Sequence, residues 1–177
     1  MTHTTIKPTA RLTGPRVVLR PLERRDLPLT REWRNENRAW FFDGRVITDD
    51  MHQAWFAGYL QRSNDIVFVI HRSGDDEHPV GQIALYDIEQ TAGTAECGRL
   101  IIGPRDARGA GFASEAIRLV ADWAFGTLGL SEVVAHVRDT NMASLRAFVH
   151  AGFAHRATRG TTVVLCARAT VPPTPEG

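Results

Sequence analysis

Residues 94–138 read TAECGRLIIGPRDARGAGFASEAIRLVADWAFGTLGLSEVVAHVR. The run 94–103 is short, apolar and bounded by turn residues, so it reads as a strand. Residues 113–128 place Ala116, Ile117, Val120, Trp123, Ala124 and Leu128 at a 3.6-residue spacing, which builds one apolar face of a helix. Residues 132–138 (EVVAHVR) read as a second strand. Strand, helix and strand in that order require a parallel neighbour reached through a crossover. Between the first strand and the helix lies the turn Arg108-Gly109-Ala110-Gly111-Phe112-Ala113-Ser114. Its glycines remove the Cβ atoms that would keep an anion at a distance. The free N–H groups and the dipole of the helix start then favour a phosphate. The same Gly-x-Gly also makes ordinary tight turns, so the turn alone leaves both readings open.

Working outward, residues 16–22 (RVVLRPL), 65–72 (DIVFVIHR) and 80–89 (VGQIALYDIE) read as strands, the last two joined by a polar hairpin loop. Residues 153–159 and 161–169 complete a set of seven strands. Residues 22–37 carry Leu27, Leu29 and Trp33 among charges and read as a helix. Thr48 or Asp49 can cap a second helix through residue 62, with Met51, Trp55, Phe56 and Tyr59 at helical spacing. Residues 141–151 form a short helix stopped by Gly152. The expected fold is α/β of mixed α+β type: a mixed, mostly antiparallel seven-stranded sheet with helices on both faces and a central β-α-β unit. One domain is expected over residues 15–170, with a flexible arm over 1–14 and a disordered tail over 171–177.

Charged residues make up 23% and the formal net charge is +1 with no Lys/Arg block, so no nucleic-acid partner is indicated. No apolar run approaches a membrane span, and the N-terminus lacks the apolar core of a secretory signal, so a cytoplasmic protein without a membrane partner is expected. Cys97 and Cys166 stand far apart, which argues against a disulfide framework. His71, His78, His150 and His155 show no ligand spacing and no Cys-x-x-Cys occurs, so no metal is expected.

Downstream of the glycine turn lie Asn141-Met142-Ala143-Ser144 and Gly152-Phe153. With Arg108, Gly111 and Ala113 they resemble the two motifs of the GNAT superfamily of N-acetyltransferases, in the same order of elements along nearly the whole chain. Asn141 is also a good N-cap and Gly152 a good helix stop, so each alone is an ordinary helix signal; the set is specific. The resemblance implies acetyl-CoA as co-substrate in an opening between the strands 94–103 and 132–138. The pantetheine arm would lie along Leu100, Ile101 and Ile102. The pyrophosphate would sit on the amides from Gly109 through Ala110, Gly111, Phe112 and Ala113 to Ser114. Asn141, Ser144 and Phe148 would face the pantetheine.

The implied reaction is direct attack of an amine on the thioester through a tetrahedral oxyanion, with a backbone N–H near Leu100 as oxyanion donor. Alternation on the strand puts Glu96, Gly98, Leu100 and Ile102 on one face, so Glu96 is the candidate base at the acceptor side. The position where many family members carry a Tyr acid is Phe148 here. Phe cannot donate a proton, which leaves Ser144 as the nearest substitute, or no acid at all.

Trp33-Arg34-Asn35, residues 38–42 (RAWFF), Ile47-Thr48 and His52 with Trp55-Phe56 resemble a branch of the superfamily. That branch holds the ribosomal-protein alanine N-acetyltransferases and the pseudaminic-acid-pathway amino-sugar N-acetyltransferases. Arg34, Trp40, Phe41, His52, Tyr86 and Glu96 are the candidate acceptor contacts, although Trp55, Phe56 and His52 are equally suited to a core. The expected acceptor is a small primary amine, an amino sugar or nucleotide-linked amino sugar first. An aminoglycoside, a protein N-terminus, or a non-catalytic acetyl-CoA-binding module are the alternatives. A homodimer is possible by resemblance.

Overall fold

The structure is a computed structural model that describes residues 11–170. The tail expected over 171–177 and most of the arm expected over 1–14 lie outside the described residues. The elements are β1 (Leu12–Thr13), β2 (Val17–Pro21), α1 (Leu27–Glu36), α2 (Asp49–Gln61), β3 (Asp65–Arg72), β4 (Pro79–Glu89), β5 (Thr94–Ile102), α3 (Phe112–Gly126), β6 (Glu132–Arg138), α4 (Met142–His150), β7 (Ala154–Arg159) and β8 (Thr162–Arg168). They build one eight-stranded sheet in the order β1-β2-β3-β4-β5-β6-β8-β7. Every neighbouring pair is antiparallel except β5 and β6, which are parallel.

The sequence points to seven strands, and the eighth is β1, which pairs Leu12 with Leu19 inside the stretch expected to be a loose arm. Two residues are too short to show a period. The turn that follows them is anchored from a distance: the carboxylate of Glu115, in the first turn of α3, accepts the N–H groups of Arg16 at 2.7 Å and Val17 at 3.0 Å.

The sheet is buried on both sides over β3 and β4, which explains why residues 65–72 read as a continuous apolar run. Ile66, Phe68 and Ile70 point to the face covered by α3, where they meet Ile83, Leu85, Ile117 and Val120. The alternate residues Val67 and Val69 point to the other face and meet Leu27, Phe56 and Tyr59 from the α1–α2 side. This two-sided burial makes the middle of the sheet a rigid floor for whatever the strand ends carry. Among the described residues no helix is long and apolar enough to cross a membrane.

The entry to α1 is set by a buried ion pair. Arg20 donates twice to Asp26, Nη1 to Oδ2 and Nη2 to Oδ1, both at 2.7 Å, and Asp26 Oδ2 also accepts the Glu23 N–H at 2.8 Å. Burial alone would raise the Asp26 pKa, but the bonds from Arg20 hold it below the usual carboxylate range. Asp26→Asn keeps the shape and removes the charge, leaving a buried guanidinium without its counter-ion. The expected loss is about 3–5 kcal/mol in denaturant unfolding; a loss below about 1 kcal/mol would show the pair to be dispensable.

Candidate active site

Parallel pairing between β5 and β6 holds for Thr94 with Glu132, Ala95 with Val133 and Glu96 with Val134, and then stops. Both strands continue, β5 still paired to β4 and β6 still paired to β8. The sheet therefore opens from Glu96 and Val134 outward. The cause lies within β5. From Gly98 to Ile101 it takes three steps where β4 takes two, from Ala84 to Gln82. The extra residue is Arg99, which adopts a left-handed backbone at φ 50. A bulge of this kind bends its strand and raises the local twist.

A left-handed non-glycine residue costs about 1–2 kcal/mol, and Arg99 is held there by three contacts. Its Nη1 donates to Asp65 at 2.7 Å, its carbonyl accepts from Gln82 Nε2 at 3.1 Å, and its guanidinium stacks 4.2 Å from the Tyr86 ring centroid. The bulge also reverses the alternation. Glu96 and Gly98 stay on one face, opposite Tyr86 and Ala84, while Leu100 and Ile102 pack toward the α3 side. The expectation that Glu96, Gly98, Leu100 and Ile102 share a face is thus corrected, because it assumed an unbroken period of two.

Beyond the bulge the chain turns through Gly109 and Gly111, both left-handed at φ 76 and 81, into the start of α3. Gly111 provides no side-chain cap, so the first amides of the helix face outward without one. Arg108 donates to the carbonyls of Ile102 at 3.2 Å and Gly103 at 3.1 Å, which fastens the strand end to the turn. Arg16 Nη1 donates to the Ala110 carbonyl at 3.1 Å, and a Cβ at Gly111 would lie 2.6 Å from that same nitrogen.

A groove of about 450 Å³ runs along this edge. Leu100, Ile101, Ile102, Arg108, Gly109, Gly111, Phe112, Ala113 and Ser114 line it from one side, Asn141 and Ser144 from α4, and Trp40 and Phe41 from the α1–α2 connection. Asn141 caps α4 by accepting the Ser144 N–H at 3.2 Å.

On the α1–α2 side lies a second cavity of about 510 Å³. Arg31, Arg34, Arg45 and Arg99 line it with Phe41, Phe42, His52, Trp55 and Gln82, and Asp43 is its one acid. The Arg34 guanidinium sits 3.8 Å from the Phe41 ring centroid and donates to the Asp43 main-chain carbonyl. Burial pushes the pKa of His52 down, which favours the neutral ring. Phe41 touches both cavities, so they adjoin at this residue.

Glu96 stands where the opening begins. Tyr86 donates its hydroxyl to Glu96 Oε1 at 2.7 Å, and His136 Nδ1 lies 3.1 Å from the same oxygen. Gly98 is required by this arrangement, since a Cβ there would come within 2.7 Å of the Tyr86 hydroxyl. Burial raises the Tyr86 pKa, and the neighbouring Glu96 charge raises it further, so the phenol stays a donor. Burial also pushes the Cys97 thiol up, which keeps it protonated and unsuited to nucleophilic attack.

Residues 16–154 match the sequence profile of the acetyltransferase (GNAT) domain. The chain belongs to the GNAT family. It is an acetyl-CoA-dependent N-acetyltransferase with a mixed sheet of GNAT type. The chain is 30% identical over 152 residues to the probable N-acetyltransferase YjcK of Bacillus subtilis (strain 168), covering 80% of this chain and 82% of the relative. Its fold is similar to that of FdhC, described as a nucleotide-linked sugar GNAT, with a TM-score of 0.77 at 21% identity over 90% of each chain. It is also similar to the spermidine N-acetyltransferase of Vibrio cholerae in complex with CoA and spermine, with a TM-score of 0.74 at 22% identity, covering 86% of this chain and 94% of that one.

Set on the GNAT frame, the sequence-derived residues divide. Leu100 to Ile102, the turn and the α4 residues Asn141 and Ser144 come together in one groove. Arg34, Phe41 and His52 line the other cavity, whereas Trp40 lines the groove. Ala110 lines neither and is tied to Arg16 through its carbonyl. Phe148 is corrected from a groove contact to a core residue: it is 2% exposed and packs edge-on against Phe153, because α4 turns Ala143, Ser144 and Ala147 toward the groove instead. Tyr86 and Glu96 line neither cavity; they lie beside the acceptor-side floor, where Arg99 covers Tyr86.

Sequence reasoning missed Arg99, Gln82 and His136. The signal for His136 was present, since in EVVAHVR it alternates with Val134 on the strand next to Glu96.

The GNAT turn can be tested at Gly111. Gly111→Val puts a side chain at φ 81 and into the Arg16 guanidinium, and should raise the acetyl-CoA dissociation constant about tenfold or more in calorimetry. An unchanged affinity would place the phosphates elsewhere.

Proposed function

We propose that this enzyme acetylates the primary amine of a small amino sugar, free or linked to a nucleotide. The observation that carries the substrate class is the charge of the second cavity, where Arg31, Arg34, Arg45 and Arg99 face a single acid, Asp43. Arg45 and Asp43 pair with each other, Arg99 pairs with Asp65, and Arg31 lies 3.9 Å from Asp49, which leaves Arg34 as the arginine that among the described residues meets a main-chain carbonyl and the Phe41 ring in place of a carboxylate. Guanidinium groups beside aromatic rings suit an acceptor with a planar base or sugar ring and an anionic group. They repel a polycation, which counts against a spermidine-like or aminoglycoside acceptor.

In this reading acetyl-CoA lies along β5, and when bound it supplies the activated acetyl group. The left-handed glycines and the first amides of α3 fit its pyrophosphate: the turn is open, uncapped and backed by Arg108 and Arg16. Leu100 to Ile102 offer backbone groups along the edge that β6 has left. One of their N–H groups stabilises the oxyanion. Glu96 holds the acceptor ammonium and handles its proton, with Tyr86 fixing the carboxylate. Ser144 reaches the groove from α4 and is the candidate contact to the pantetheine, and the candidate donor to the departing thiolate.

The test is CoA release from acetyl-CoA with a panel of UDP-linked amino sugars, free amino sugars, aminoglycosides, polyamines and N-terminal peptides. Release with the sugar class and none with polyamines is expected; the reverse would overturn the acceptor assignment. Arg34→Ala should raise KM for a UDP-linked amino sugar about tenfold or more and leave KM for acetyl-CoA unchanged, as for loss of a charged hydrogen bond. Glu96→Gln should leave acetyl-CoA affinity intact and cut turnover, most severely at low pH.

A further inference from the structure

We propose that His136 is the group on which the acceptor's proton comes to rest, working as a pair with Glu96 across the opening between β5 and β6. This rests on the reading that Glu96 receives the acceptor amine.

The geometry is specific. Glu96 is the last β5 residue paired to β6, opposite Val134, and His136 is the next residue of β6 on the same face. Because the strands part there, the imidazole reaches across to Glu96 with Nδ1 at 3.1 Å from Oε1. This is an ion-pair distance; a small ring rotation aligns it as a hydrogen bond, and apo sites commonly show such loose contacts. Tyr86 donates to that same Oε1, so both contacts fall on one oxygen and Oε2 is left to meet an ammonium. The His136 side chain is 38% exposed and the Glu96 side chain 20%, so the imidazole is the member with the more open path to water.

The chemistry explains why a second group is needed. An aliphatic ammonium must lose a proton before or as it attacks, and a carboxylate is a weak base for that task. An imidazole titrates near neutral pH and is the better resting place. The balance is complete without a further reactant. The amine nitrogen forms the C–N bond and a tetrahedral oxyanion, and collapse of that oxyanion breaks the C–S bond and expels the CoA thiolate with the electron pair. The ammonium gives up two protons in becoming the amide: one passes by way of Glu96 to the imidazole and from there to water, and the other is matched by the proton the thiolate takes up from Ser144 or water.

The other groups around the pair do not compete for the proton. Tyr86 from β4 is kept protonated by burial first and by the Glu96 charge second. Arg99 stacks on Tyr86 and is paired to Asp65. From β8, the residue opposite His136 is Val164, and Cys166 stands opposite Val134. Arg138, two residues along β6, donates to the Phe41 carbonyl at 3.0 Å and lies over the Phe42 ring.

The experiment measures kcat and kcat/KM against pH with the amine that releases CoA in the panel above, for the wild type, His136→Gln and His136→Ala. The expected result is a fall in kcat of about a hundredfold in both variants, with KM for acetyl-CoA unchanged. The pH profile should change in shape in both variants, and added imidazole should partly restore the rate of His136→Ala. Gln fills the space and can still meet Glu96, so full activity in His136→Gln would make the residue a packing element and overturn the relay. An unaltered pH profile without imidazole rescue would do the same while leaving acetyl transfer by Glu96 standing. Binding of acetyl-CoA without release on any amine would overturn the acetyl-transfer reading, and the relay with it.

Discussion

The functional architecture depends on one broken ladder. β5 and β6 are hydrogen-bonded as far as Glu96 and Val134 and no further. Had the pairing continued, the backbone groups of Leu100 to Ile102 would be consumed within the sheet. Because it ends, an edge in the middle of an otherwise continuous sheet is open to an extended ligand as to an added strand. The glycine turn lies at the far end of that edge and Glu96 at the near end. The β5 edge therefore runs between the glycine turn and the carboxylate of Glu96.

The break is maintained by side chains that no local rule would select. Arg99 is left-handed without being glycine, and its conformation is held by Asp65, by Gln82 and by stacking on Tyr86. Asp65 is 4% exposed, so this pair is set into the protein and not laid on its surface. The same Tyr86 donates to Glu96, which links the bulge to that carboxylate through one ring. The two-sided core beneath, with Phe68 and Ile117 on one face and Val69 and Phe56 on the other, keeps the floor from relaxing. A left-handed residue held over a rigid floor is a common way to position a reacting group.

Most of the fold was legible in the sequence because it rests on period and punctuation. The helical face of α3, the alternation in β6 and the Gly109–Gly111 turn carry local signals that survive into the structure. What was not legible is long-range. The start of β2, against which Leu12 and Thr13 pair, is anchored by Glu115, about a hundred positions away in the chain. Gly98 stands beside the bulge, but the left-handed residue itself is Arg99, so a period of two carried Leu100 and Ile102 to the wrong face. Phe148 was expected at the groove from the resemblance, yet α4 turns Ala143, Ser144 and Ala147 that way and sends the Phe148 ring into the core beside Phe153. The arginine character of the second cavity was legible only at Arg34; Arg31 stands three residues before it on α1, whereas Arg45 and Arg99 come from separate segments.

The central claim is that the open edge of β5 and the glycine turn form one acetyl-CoA site. Titrating the isotopically labelled protein with acetyl-CoA and following backbone amide resonances tests it most directly. Saturable shifts should appear together at Leu100, Ile101 and Ile102 and at Gly109 through Ser114, with the β2–β3 region unmoved. Saturable binding that leaves the amides of residues 100–102 and 109–114 unshifted would contradict the account.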